Sequence, residues 1–148
     1  MRLLIQRASR ASVTIDGRVV SSIGLGLVIL VGVGDGDDEA QIGPLADKVV
    51  GLRIFRDGDG KTNLAIGEVG GEALVVSQFT LYADTRKGRR PSFIRAAEPT
   101  VAEDLVEAFA RAIEARGVAV GRGVFGAQME VELVNDGPFT MWLDAEAS

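Results

Sequence analysis

The sequence predicts a mixed α/β fold that is rich in β-strands and has two main helices. Short apolar runs bounded by glycine and aspartate turns predict the strands, and two stretches with apolar residues at helical spacing predict the helices. The chain has 148 residues, of which 47% are hydrophobic, and this suits one compact domain over residues 1–148. Only 5% are aromatic, so we expect a mainly aliphatic core.

Apolar runs and turn residues place the strands. The Asp16-Gly17 pair is typical of a tight hairpin turn, so the strand before it is expected to pair with the strand after it. An uninterrupted apolar run, as in residues 23–33, is typical of a strand buried on both faces. The predicted strands, in chain order, are residues 1–6, 11–15, 18–20, 23–33, 73–81, 129–134 and 139–143.

Capping residues and apolar spacing place the two helices. The first helix is expected to begin at a capping aspartate, Asp37 or Asp38, and to reach about Val50. Because proline disrupts a helix interior, Pro44 predicts either a kink or a later start. The second helix is predicted over residues 99–116, with a proline at its start and a glycine after its end.

The composition restricts the chemistry. The chain has no histidine and no cysteine, which excludes a Ser-His-Asp triad, a cysteine nucleophile and an imidazole base. Residues 57–68 have the outer frame of a calcium loop, but Lys61 replaces an oxygen ligand and Thr62 replaces the required glycine. We therefore expect neither a metal nor a cofactor. Chemistry must rest on hydroxyls, amides, carboxylates, backbone groups or the substrate itself.

Charge and hydropathy bear on the partners. The net charge of −5 disfavours broad binding to a phosphate backbone. Against this balance, residues 86–90 read Arg-Lys-Gly-Arg-Arg, which is either a solvated loop or a contact to an anionic ligand end. The uncharged run at residues 19–34 is interrupted by glycines and falls short of the ~18 apolar residues of a membrane helix. A cytoplasmic protein is expected.

The first segment with chemical potential is Ser77-Gln78-Phe79-Thr80-Leu81, at the end of an apolar run. If the strand continues through it, Gln78 and Thr80 share one face with Val76. Those two polar side chains are then either solvent-facing or part of a pocket floor. In a pocket, the Gln78 amide would orient a polar ligand, while Thr80 and strand-end N–H groups would donate to a developing oxyanion.

The second such segment is Asn135-Asp136-Gly137-Pro138-Phe139-Thr140, between two predicted strands. It reads either as a simple turn or as a specific recognition element. A cis bond before Pro138 would aim two neighbouring carbonyls in similar directions, and Gly137 would put no side chain in the way. Two such carbonyls would accept hydrogen bonds from an ammonium group. They would leave no room for the side chain of an amino acid of one chirality.

Together these two segments resemble the paired motifs of the D-aminoacyl-tRNA deacylase family. Both motifs are intact, and their joint occurrence in a chain of this length is highly specific. The likeness covers nearly the whole chain without a large insertion. It includes these further segments: Gln6-Arg7, residues 10–13, 51–55 and 90–93, and Trp142.

The resemblance implies a fold of layered β-sheets and helices, and a homodimer. It implies hydrolysis of the ester that joins a D-amino acid to the 3′-terminal adenosine of tRNA. Glycyl-tRNA mischarged on tRNA(Ala) is expected to be cleaved as well, because glycine has no side chain to exclude. The expected partner is thus the adenosine end of aminoacyl-tRNA, with the basic run of residues 86–90 as the candidate for any phosphate contact.

The resemblance also implies roles for individual residues. Three consecutive residues of the first motif line the reaction centre, beside a serine of the substrate site. The second motif forms a chiral gate that enters the neighbouring subunit's pocket, and an arginine props its carbonyls. By this resemblance, the reaction centre is lined by Gln78, Phe79 and Thr80, and the serine of the substrate site is Ser77. The gate consists of Gly137 and Pro138, and the arginine that props its carbonyls is Arg7.

Two mechanisms remain open for the ester, which is already activated and therefore needs little more than positioning and oxyanion stabilisation. Either the Thr80 hydroxyl attacks directly, or the vicinal ribose 2′-hydroxyl assists an attacking water while Thr80 positions it. We favour the second route because neither motif supplies a base for Thr80. The rival functions are a non-catalytic binding module and an esterase or peptidase that acts on free D-amino-acid derivatives.

Overall fold

A computed structural model describes residues 1–147, which form eight β-strands and two α-helices joined by short 3-10 turns. The mixed α/β fold with two main helices is confirmed. In chain order the elements are β1 (Arg2–Ile15), β2 (Arg18–Ile23), β3 (Gly26–Gly32), α1 (Ile42–Gly51), β4 (Phe55–Arg56), β5 (Thr62–Leu64), β6 (Glu72–Ser77), α2 (Pro99–Glu114), β7 (Val120–Arg122) and β8 (Glu130–Asp144).

Strand β1 organises the main sheet. One of its edges pairs antiparallel with β8, from Arg2 opposite Asp144 to Thr14 opposite Glu130. Its other edge is divided, since the first half pairs with β3 and the second half with β2. Strands β6 and β7 then add to β3 in parallel. Because β3 and β6 are parallel, their carboxyl ends lie side by side at one edge of the sheet.

The layers follow from the apolar faces of these elements. Helices α1 and α2 cover one face of the sheet, and a smaller apolar cluster lies on the other. The main core includes Leu3, Ile5, Leu27, Ile29, Val75, Leu45, Val49, Leu105, Phe109 and Ile113. The smaller cluster consists of Ala8, Ala11, Val13, Ile23, Val28, Leu74 and Val76. Both are mainly aliphatic, as the composition predicts, and each large side chain fully buried contributes about 1.5–3 kcal/mol.

Several predicted boundaries differ from the observed ones. The two predicted N-terminal strands form one long strand, β1. Its pairing register with β8 shifts on both sides of Ala8, and the polar residues between the two predicted strands lie at these shifts. Helix α1 begins at Ile42 after a 3-10 turn that Asp38 caps, so Pro44 falls in the first helical turn, where proline is tolerated. The later start is thus the correct alternative. Helix α2 begins at Pro99 as predicted and ends at Glu114.

No helix within residues 1–147 has both the length and the apolar character needed to cross a membrane.

Candidate active site

The chain turns away from the main sheet at the carboxyl end of β6. That strand ends at Ser77, and a 3-10 helix runs over Phe79–Tyr82. Between them, the Gln78 N–H still donates to the Val31 carbonyl of β3 at 2.8 Å. The prediction that a strand continues here and places Gln78 and Thr80 on one strand face is therefore wrong. The two side chains meet because the backbone turns, with the Leu81 N–H donating to the Gln78 carbonyl at 3.2 Å.

Gln78 and Thr80 form a direct side-chain pair. The Gln78 Nε2 donates to the Thr80 Oγ1 at 2.5 Å. Since the Thr80 oxygen accepts in this bond, its own hydroxyl hydrogen stays free to point at a ligand. A neutral amide does not take that proton, so Gln78 does not serve as a base for Thr80. The pair thus presents donors rather than an activated nucleophile.

A cavity of about 390 Å³ opens at this pair, where it is lined by Gln78 but not by Thr80. The volume falls in the range of small-ligand sites. Its walls are mostly apolar, and the rings of Phe79 and Phe93 meet edge to face with their centroids 4.9 Å apart. Phe79 is 57% exposed, so a large aromatic surface stands at the mouth. The lining residues include Val31, Val33, Ser77, Gln78, Phe93, Ala97 and Phe125.

Two glycines at the end of β3 make room for the 3-10 helix. A Cβ on Gly32 would lie 2.9 Å from the Leu81 Cβ, and one on Gly34 would lie 2.6 Å from the Tyr82 ring. From another side, the Arg2 guanidinium donates to the Leu81 carbonyl at 3.0 Å and stacks 4.3 Å above the Tyr82 ring. The turn that carries Phe79 and Thr80 is therefore held by close packing and by a charged donor.

Tyr82 holds the same turn in place through a contact with Asp37. Its hydroxyl donates to the Asp37 Oδ2 at 3.3 Å, and Asp37 also accepts from the Gly34 N–H at 2.6 Å and pairs with the Met1 ammonium at 2.7 Å. Burial, followed by the negative charge of Asp37, raises the pKa of the Tyr82 phenol well above its usual range. The phenol is therefore protonated at neutral pH and is not a base for the neighbouring site.

Arg7 is a buried cation that lies against the second motif, residues 135–140. Only 3% of it is exposed, and its Nη1 and Nε donate to the carbonyls of Ile54 at 2.5 Å and Asp136 at 2.9 Å. Its guanidinium carbon lies 4.9 Å from the centre of the Phe139 ring. The Asp136 carboxylate, 3.5 Å from the Nε, balances the charge. Arg7 thus holds the carbonyl that precedes Gly137.

The Gly137-Pro138 segment lies within β8 and is exposed. The peptide bond between these residues is cis, and Gly137 has a φ of 144°, a conformation that favours glycine. Across its base, the Asn135 side chain accepts from the Phe139 N–H at 2.8 Å and donates to the Thr140 hydroxyl at 2.9 Å. The predicted interruption between two strands is instead a bulged part of one continuous strand.

The seven predicted site residues fall into two groups that lie on different parts of the sheet. Ser77, Gln78, Phe79 and Thr80 lie at the end of β6, whereas Arg7, Gly137 and Pro138 lie on β1 and β8. Strand β3 separates β6 from β1. Within residues 1–147 of one chain, no hydrogen bond or ion pair joins the two groups.

Sequence reasoning missed several residues that shape these groups. Phe93 and Phe125 line the cavity but come from irregular segments with no periodic signal. Asp136 lies inside the second motif, yet its pairing with both Arg7 and Arg56 depends on residues far away in the chain. The family resemblance over residues 90–93 is the signal that could have identified Phe93 as a site residue.

The fold and the site together define a class of protein: a mixed α/β protein with a largely apolar cavity at the carboxyl end of β6 and an amide–hydroxyl pair, Gln78 and Thr80, beside it. Among residues 1–147, no group of three or more carboxylates is arranged to hold a metal ion. The chain belongs to the D-Tyr-tRNA(Tyr) deacylase family, whose model matches residues 4–144. The predicted family and the assignment as a hydrolase are thus confirmed.

Similar proteins agree with this membership over the whole chain. The D-aminoacyl-tRNA deacylase of Thermomicrobium roseum is 63% identical over 98% of this chain and 94% of its own length. The protein of the same name from Roseiflexus castenholzii is 61% identical over 98% of this chain and 92% of its own. A solved structure, the c-Myc DNA Unwinding Element Binding Protein, superimposes with a TM-score of 0.91 at 34% identity, covering 97% of this chain and 98% of that one.

Proposed function

We propose that this protein hydrolyses the ester that joins a D-amino acid to the 3′-terminal adenosine of tRNA. The observation that carries the proposal is the Gln78–Thr80 pair at an open, aromatic-walled pocket, in a chain whose relatives at 61–63% identity are named for this activity. The pocket volume suits a terminal nucleoside and its aminoacyl group rather than a folded RNA. We place the activity in the cytoplasm, where tRNA is charged and used.

Substrate-assisted hydrolysis fits the donors in the pocket. The free Thr80 hydroxyl hydrogen and the N–H groups of the turn can stabilise the oxyanion that forms at the ester carbonyl. With no base at Thr80, the ribose 2′-hydroxyl of the substrate is the group best placed to assist the attacking water. Thr80 then positions reactants and forms no covalent bond.

The second group of residues supports a chiral gate. Gly137 and Pro138 are exposed and lie apart from the pocket of their own chain, as a gate that enters a partner's pocket requires. Arg7 and Asn135 hold the segment at its base. We propose a homodimer in which each Gly137-Pro138 segment closes the other subunit's site and excludes an L side chain. Glycyl-tRNA mischarged on tRNA(Ala) would pass this gate.

The direct test times ester loss from matched D- and L-aminoacyl-tRNA. We expect the D-ester to disappear many-fold faster for several different side chains, because selection acts at the α-carbon. Glycyl-tRNA should be cleaved too. A non-catalytic binding module would leave both esters intact, and an esterase for free D-amino-acid derivatives would cleave a D-amino-acid methyl ester in preference to the tRNA ester. Equal rates for D- and L-aminoacyl-tRNA would refute the proposal.

A substitution at Thr80 separates the two mechanisms. Thr80→Ala is expected to lower the single-turnover rate by about tenfold at most, because it removes roughly one hydrogen bond worth about 0.5–1.5 kcal/mol. Thr80→Ser is the matched control, since it keeps the hydroxyl. The unaltered protein should cleave a substrate ending in 2′-deoxyadenosine more slowly than the ribose substrate. A loss of several orders of magnitude, or a trapped ester on Thr80, would instead identify a nucleophile.

A further inference from the structure

The segment from Asp84 to Ser92, called the basic loop below, projects beside the pocket. Its two ends are tied by a pair of backbone hydrogen bonds, Asp84 N–H to the Ser92 carbonyl at 2.8 Å and Ser92 N–H to the Asp84 carbonyl at 2.9 Å. All five residues between 86 and 90 are exposed. The two ends of the loop are therefore held together, and its cationic side chains face solvent.

One cation of the basic loop is already neutralised. Arg86 forms a two-pronged contact with the Asp84 carboxylate, at 2.6 Å from its Nη2 and 2.9 Å from its Nε. This hydrogen bonding lowers the pKa of Asp84 to about 2. Lys87, Arg89 and Arg90 have no hydrogen-bond or ion-pair partner within residues 1–147. Three like charges within four positions thus lack a counter-charge from the described part of the protein.

The position of the basic loop ties it to the pocket. Phe93 directly follows the loop, lines the cavity and packs against Phe79. Arg90 is three residues from Phe93, so their Cα atoms are at most about 11 Å apart. The long arginine and lysine side chains extend into solvent from this segment next to Phe93. A chain of phosphates that leaves the pocket on the Phe93 side would therefore lie close to these cations.

The charge of the rest of the protein limits the kind of partner. The basic loop, residues 84–92, contains four basic residues and one acidic residue, whereas the remainder of the chain contains 12 basic and 20 acidic residues. A long duplex lying along the surface would meet mostly negative charge, which is felt over a Debye length of roughly 8 Å at physiological salt. A short single strand that crosses only the basic loop avoids most of this repulsion.

We propose that Lys87, Arg89 and Arg90 bind phosphodiester groups of the single-stranded 3′ end of tRNA, next to the terminal adenosine in the pocket. The proposal rests on the proposed function and extends it to named phosphate contacts. Arginine binds phosphate through two parallel N–H donors, and lysine acts as a point charge. Arg86 is left out of the proposed contact because the Asp84 carboxylate balances its charge and accepts from its Nε and Nη2.

The experiment compares two variants with the same loss of charge. One carries Lys87→Ala, Arg89→Ala and Arg90→Ala together. The control carries Arg18→Ala, Lys48→Ala and Lys61→Ala, which are exposed cations elsewhere that also lack an ion pair within residues 1–147. Each protein is assayed on D-aminoacyl-tRNA and on D-aminoacyl-adenosine, which has no phosphate. Binding of labelled tRNA without an amino acid is measured by fluorescence anisotropy between 50 and 200 mM salt.

The loop variant should lose at least about tenfold in kcat/KM on D-aminoacyl-tRNA at 50 mM salt and keep its rate on D-aminoacyl-adenosine. Three lost contacts to a single strand reduce the salt slope of tRNA binding by about 2. The control variant should keep both properties. Equal losses in the two variants, equal losses on the two substrates, or an unchanged loop variant would each overturn the proposal.

A separate outcome distinguishes failure of the proposed phosphate contacts from failure of the proposed enzymatic function. If the unaltered protein cleaves neither ester, the proposed function fails. In that case, weaker tRNA binding by the loop variant but not by the control variant would still support the phosphate contacts. Unchanged tRNA binding by the loop variant would overturn them.

Discussion

Gly137→Ala is expected to lower kcat/KM for D-aminoacyl-tRNA by on the order of 100-fold. The new Cβ would lie 2.9 Å from the Phe139 nitrogen and 3.1 Å from the Arg7 Nη2, at a φ of 144° that alanine rarely adopts. Arg7 cannot easily move aside, because its other nitrogens are bound to the carbonyls of Ile54 and Asp136. The gate segment must therefore shift, and a displacement of about 1 Å can cost 100-fold in rate.

Steady-state kinetics on D- and L-aminoacyl-tRNA measure this effect. Gly67→Ala is the matched control, since Gly67 is exposed, lacks a positive φ and has no atom within 4 Å of a new Cβ. The unfolding free energy of Gly137→Ala should fall by only about 1–3 kcal/mol, so the protein remains folded. Full activity with unchanged D-selectivity would refute a gate at Gly137.

Mixing subunits tests whether the gate acts on the partner. If each site combines Gln78 of one chain with Gly137 of the other, a Gly137→Ala chain and a Gln78→Ala chain form hybrids with one intact site and one doubly defective site. Some activity should then return on mixing. No recovery, after subunit exchange has been demonstrated, would argue against shared sites.

Gly26→Ala is expected to destabilise the fold by about 3 kcal/mol or more. A Cβ at Gly26 would lie 1.7 Å from the Glu72 carbonyl oxygen and 2.8 Å from the Glu72 nitrogen. These are backbone atoms of the adjoining strand β6, which pairs with β3 at this position. The strands must separate, and this cost outweighs the gain of about 0.4–1 kcal/mol that alanine brings by restricting the unfolded chain.

Urea unfolding at a fixed protein concentration measures the change. The midpoint should fall while the slope stays constant, as expected when stability alone changes. Gly67→Ala again serves as the control and should stay within about 0.5 kcal/mol of the parent protein. A Gly26→Ala protein as stable as its parent would contradict the close approach of β3 and β6.

The elements with strong local signals were predictable. The Asp16-Gly17 turn closes the β1–β2 hairpin, with Ile15 opposite Arg18, because a two-residue glycine turn matches strand twist. The start of α2 at Pro99 also follows from local rules, since proline favours the first turn of a helix.

Features that depend on distant contacts were not predictable. The 3-10 turn after Ser77 exists because Gly32 and Gly34, over 40 residues earlier, leave space for Leu81 and Tyr82. Strand alternation contains no information about that space, so the faces assigned to Gln78 and Thr80 were wrong. The motif selected these two residues, and the turn of the backbone, not strand alternation, brings their side chains together.

The pairing of β1 with β8 also has a consequence for folding. Arg2 lies opposite Asp144 and Thr14 lies opposite Glu130, so every pair in the longest ladder of the sheet joins residues more than 110 positions apart. Sheets built from such distant pairings fold slowly, on the scale of about milliseconds to seconds, because loop closure comes before the contacts that offset it. On the ribosome, one edge of β1 keeps its N–H and C=O groups unpaired until β8 has emerged, and in that interval it is open to pairing with another chain.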